Sequence, residues 1–106
     1  MEWKLCAAIV ATLLAATPTY AEMSWAEKCG YMGKIAGKVM TNHQNRKPLE
    51  DSLQAYDDIA DPEFKAILRR IVIEAYETPR YNTQKHQSNA IRDYSDETLL
   101  SCLKAE

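Results

Sequence analysis

A chain of 106 residues with 13 lysines and arginines against 15 aspartates and glutamates has a formal charge of −2. So small a charge leaves no basic stripe to neutralise phosphates, which argues against a nucleic-acid partner, and it gives too weak a field to steer a charged ligand. The length suits one small domain with a modest core.

The first 21 residues read as an export signal. Lys4 and the amino terminus give a short, weakly basic start, and the stretch from Leu5 to Ala16 carries no charge. Pro18 breaks that run, and Thr19-Tyr20-Ala21 places small side chains three residues and one residue before a cut after Ala21. The run is shorter than the roughly 20 apolar residues that a membrane-spanning helix needs. Cleavage is therefore expected, with residues 22–106 as a single domain and no transmembrane anchor after processing. Cys6 leaves with the leader and sits too early to be a lipidation site.

Cys29 and Cys102 remain, one near each end of the mature chain. An exported protein meets an oxidising compartment, so this pair is expected to form a structural disulfide. The long loop it closes makes such a bond worth roughly 4 kcal/mol of chain entropy. A redox role would favour cysteines close in sequence, as in Cys-x-x-Cys. A zinc site built with His43 and His86 would lack any recognisable ligand spacing.

Trp25, Cys29, Met32, Ala36, Val39, Met40 and His43 recur at steps of three and four, which predicts a helix over 25–43. Ser24 followed by Glu27 fits a capping box at its start. A second stripe of Ala26, Gly30, Gly33 and Gly37 runs beside the first. Glycine in a helix costs about 0.5–1 kcal/mol against alanine, so the stripe is expected to be a seam where another helix approaches closely. A partner's helix in that groove is the sharper alternative.

Pro48 opens a short helix with Leu49, Leu53, Tyr56 and Ile59 or Ala60 on one side. Asp61 before Pro62 then predicts a capped helix start, and Pro79 a stop near Glu77 or Thr78. Phe64, Ile67, Leu68, Ile71 and Ala75 form its core face, broadened by Val72, Ile73 and Tyr76. As the most apolar helix of the mature chain, it is expected at the centre of the bundle. The polar segment 80–89 reads as loop or early helix. The last helix contains Asp96 to Lys104, with Ser95 either as its cap or inside a longer element. The fold class that follows is all-α, a small three- to four-helix bundle stapled by one disulfide between the first and last mature helices.

Chemistry is sparse. Asp57, Asp58 and Asp61, and the pair Asp96 and Glu97, sit at helix ends and read as solvated caps. His43 suits the negative end of a helix dipole. The serines lack a strained, glycine-flanked elbow. No catalytic residue, metal ligand or cofactor is expected, and the chain is not read as an enzyme. Tyr76, Arg80, Tyr81 and Tyr94 have the residue types of interface anchors and form the candidate recognition edge. The reading is a helical protein of the bacterial periplasm that binds an unidentified envelope or periplasmic protein, as an inhibitor, immunity or accessory factor. The alternatives are a small-ligand carrier, whose cavity would be lined by Met32, Met40, Phe64 and Ile71, and last a hydrolase.

Overall fold

The computed structural model describes residues 22–105, so the leader assigned to residues 1–21 lies outside the described residues. These residues form four helices: α1 (Trp25–Gln44), α2 (Leu49–Gln54), α3 (Pro62–Glu77) and α4 (Gln84–Lys104).

Each boundary has a local cause. Ser24 Oγ accepts the backbone N–H of Glu27 at 3.1 Å and starts α1. Its end has the pattern of a Schellman closure, with Lys47 N donating to Asn42 O at 2.9 Å and Arg46 N to His43 O at 3.1 Å. Arg46 takes the left-handed conformation (φ 66°) that glycine usually supplies there. α2 is a single short stretch, and the turns after Gln54 stop it before Tyr56 and Ile59, earlier than the apolar spacing suggested. Asp61 Oδ1 accepts the N–H of Glu63 at 3.1 Å, and Pro62 takes the first position of α3, where its missing N–H costs nothing. Thr83, not Ser95, starts α4, by accepting the N–H of His86 at 3.2 Å. Ser95 therefore lies inside one continuous helix.

Packing places α1, rather than α3, at the centre. α1 meets α4 on one side and α3 on the other, and it also touches α2, whereas α3 and α4 barely meet. α1 can do this because both of its stripes are usable. Met32, Ala36, Val39 and Met40 enter the core with Phe64, Leu68, Ile71, Val72 and Ala75 of α3. The glycine stripe faces α4. Hydrophobicity alone pointed to α3, but only one side of α3 is covered and Ile73 is left exposed. α1 and α4 run antiparallel: Cys29 lies beside Cys102, Gly33 beside Leu99 and Ser95, and Gly37 beside Ser95. Contacts of Tyr31 with Phe64 and of His43 with Tyr76 run in the same order along both helices, so α1 and α3 are parallel.

Cys29 and Cys102 are bonded, with their Cα atoms 5.4 Å apart and 73 residues between them in sequence. The sulfur of Cys29 is completely enclosed, whereas Cys102 is only partly covered. One covalent bond therefore joins an early turn of α1 to the last turns of α4.

Candidate functional site

The glycine seam is real at two of its four positions. A Cβ on Gly33 would meet Leu99 Cβ and the Ser95 carbonyl oxygen, each at 3.3 Å, and one on Gly37 would meet Ser95 Cβ at 3.5 Å. Ser95 Oγ also donates to Gly33 O at 2.8 Å, a contact that only so close an approach allows. A Cβ on Gly30 would have nothing within 4 Å, and Ala26 is exposed. The seam thus closes in the middle of α1 and opens toward its first turns. Closure comes from this chain's own α4, not from a partner helix.

The four candidate anchors fall in two places. Tyr76, Arg80 and Tyr81 surround the C-terminal end of α1. Tyr76 Oη donates to Lys47 O at 2.8 Å and lies 2.8 Å from Ser52 Oγ, which holds the entry to α2. Arg80 Nε donates to His43 O at 3.1 Å, and Gln44 bridges the α3–α4 connection by donating to Pro79 O at 3.0 Å and accepting Tyr81 N at 2.9 Å. His43, the last member of the apolar stripe of α1, is buried here against the Tyr76 ring, with centroids 4.5 Å apart. Its Nε2 lies 2.6 Å from Thr78 O, and since a carbonyl only accepts, Nε2 carries the hydrogen. These contacts form a polar knot that ties α1, α2 and the α3–α4 connection together. The side chains of Arg80 and Tyr81 remain exposed.

Tyr94 lies elsewhere, at the seam between α3 and α4. In an up-and-down bundle those two helices would close against each other. Here they leave an open groove of about 460 Å³. Its floor is apolar, built from Met32 of α1, Ile67 and Ile71 of α3, and Cys102 of α4. Tyr94 crosses the seam and donates to Ile71 O at 2.6 Å. Trp25 borders the opposite end, its Nε1 donating to Cys102 O at 3.1 Å.

Charge is uneven around the groove. Glu74 on α3 and Glu97 on α4 line it, with Arg70 as the one basic residue among the described lining residues. Tyr94 sits among these carboxylates. Burial first, then the charges of Glu74 and Glu97, with a smaller contribution from Glu77, hold its phenol protonated well above the ordinary value. The acidic end of the groove is therefore the end at Tyr94.

Tyr94 is the one groove residue among the four candidate anchors. Glu97, expected as a solvated cap, lies mid-helix instead, because α4 begins thirteen residues before it. Of the four residues expected around a ligand cavity, Met32 and Ile71 line the groove, while Met40 and Phe64 are packed in the core. A second hollow of about 410 Å³ lies on another face, bordered by Tyr31, Ile59 and Phe64. Among the described residues, no group of three or more His, Cys, Asp or Glu side chains could hold a metal ion, and no helix is long and apolar enough to cross a membrane.

The class that fold and site define is a small helical bundle with its terminal helices joined by a disulfide and one seam left open. Comparison of the chain with protein-family models, with curated proteins and with solved structures finds no match.

Proposed function

We propose that this is a binding protein rather than an enzyme, acting in the bacterial periplasm on an envelope or periplasmic protein as an inhibitor, immunity or assembly factor. The α3–α4 groove is its binding face. The observation that carries the reading is the open seam: α4 has no fully buried residue along its whole length, and an apolar floor is left uncovered beside it. Exposed Trp25 borders the same groove beside the last turns of α4. Aromatic and aliphatic anchors in such a setting are what partner surfaces use. The disulfide and the leader-like first 21 residues support an oxidising, exported setting. A small-ligand carrier is the second reading, since the groove volume falls within the range of ligand sites. Its openness favours a macromolecule, because a small ligand there would keep much of its surface in water.

A photo-crosslinking residue at Thr98, on the groove, tests this in cells that export the full chain. A discrete protein adduct at Thr98, absent when the same residue is placed at exposed Lys38 on α1, is the expected result. Equal adducts at both positions, or none at Thr98, would overturn the groove as the binding face.

A further inference from the structure

We propose that the α3–α4 groove takes a short amphipathic helix of a partner protein whose polar flank is basic. This rests on the reading of the groove as the binding face and adds what the partner must look like.

Shape comes first. Two helices form the walls, and a third helix and the disulfide form the floor. Along α4 and its capping residue the lining runs from Tyr94 to Ala105. At 1.5 Å per residue that is roughly 16 Å, or about three helical turns. A guest helix laid there would cover the seam that α3 and α4 leave open, with apolar residues at steps of three and four meeting Met32, Ile67 and Ile71. Thr98 and Ser101 on the α4 wall are short side chains, so the guest can approach without displacing bulk.

Charge then selects the guest. The carboxylates of Glu74 and Glu97 stand on opposite walls, one on α3 and one on α4, and both border the groove at Tyr94. Glu77 adds a third negative charge near the same tyrosine. A guest with lysine or arginine flanking its apolar stripe meets opposite charge on either wall. An acidic guest meets repulsion from both, and bringing like charges together over a desolvated floor is costly. Arg70 lies one turn before Glu74 on the α3 wall, so the attraction concentrates at the Tyr94 end, and the guest's basic residues belong there.

The test uses the exported, disulfide-bonded protein and a fluorescein-labelled peptide of 14 or so residues, made only of leucine and lysine in amphipathic helical order. The charge-reversed leucine–glutamate peptide serves as comparison. Saturable binding of the lysine peptide, at least tenfold tighter than the glutamate peptide, is expected from fluorescence anisotropy. Replacing both groove carboxylates (Glu74→Gln with Glu97→Gln) should weaken it roughly fivefold, an effect that fades with added salt. The control pair Asp57→Gln with Asp58→Gln removes the same charge from an exposed turn and should change affinity less than twofold. Both pairs are exposed, and circular dichroism checks that each variant keeps its helices. Equal binding of the two peptides, equal effects of the two variant pairs, or no saturable binding would overturn the proposal. The crosslinking result separates it from the broader reading. A protein adduct at Thr98 whose contact segment lacks basic residues overturns the basic-helix proposal and leaves the groove as the binding face. An adduct to a second copy of this chain, or to a small molecule, overturns the partner helix outright.

Discussion

The two sides of α1 are held by different physics. Toward α3, side chains disappear from water: Val39, Met40, Leu68, Val72 and Ala75 are almost or completely enclosed. Toward α4, no residue of the facing helix is fully buried: Ala90, Ile91 and Tyr94 pack against the core only in part, and a disulfide, a close backbone approach at Gly33, and hydrogen bonds from Ser95 and Trp25 add to them. Burial is additive and forgiving, because many atoms share the load. Point fasteners are few, so each carries a larger share of the contact. The groove thus has one wall held mainly by burial, on α3, and one that leans more on individual bonds, on α4.

The largest expected effect breaks the fastened side. Replacing Cys29 and Cys102 by alanine should cost up to about 4 kcal/mol in urea unfolding. Amide exchange should then rise first along α4 and last in α3. Uniform loss of protection in both helices would show that the two sides are not distinct. On the buried side, Leu68→Ala should cost about 3 kcal/mol, because a fully enclosed side chain leaves a cavity. Its signature is a lower midpoint with α4 and α3 losing protection together.

Two glycines sharpen the contrast further. Gly33→Ala forces α4 outward against a backbone carbonyl and should destabilise by about 1–2 kcal/mol. Gly30→Ala meets open space and should stabilise by about 0.5–1 kcal/mol through helix propensity. Thermal midpoints that move in the same direction for both would remove the close approach as an explanation.

The smallest effect is on pH dependence. Tyr94 keeps its proton in the fold well above the point where an unfolded tyrosine, with a pKa near ~10, gives it up. Above that pH the unfolded chain binds fewer protons than the folded one, so stability contributed at Tyr94 is intact below ~10 and is lost as pH rises. Tyr94→Phe should flatten the alkaline arm of a stability-against-pH curve. An unchanged slope would place Tyr94 in water rather than at the seam.

Much of this architecture was legible in the residues. Periodicity found the buried stripe of α1, and Ser24 and Asp61 marked helix starts because a cap is a short-range hydrogen bond. The pairing of Cys29 with Cys102 followed once only two cysteines were assigned to the mature chain. What escaped was set by packing between distant segments. The polar stretch from Gln84 to Asn89 has no apolar spacing, yet it is helical because Thr83 caps it and the rest of α4 propagates through it. The spacing puts His43 on the apolar stripe of α1, but nothing local to it says that Thr78 and Tyr76 are the partners that enclose it. Nothing in the local sequence of Glu74 or Glu97 says that they border one groove, since that depends on α3 and α4 sharing α1 without closing on each other.

The bond between Cys29 and Cys102 also turns the intervening backbone into a closed circuit. A protease that cuts once after exposed Arg46 would open the circuit but release no fragment, since both pieces remain attached through sulfur. Such a clipped molecule would keep its mass, apart from one added water, until a reductant parted it, so a single cut in this loop separates two bands on a reducing gel and none on a non-reducing one.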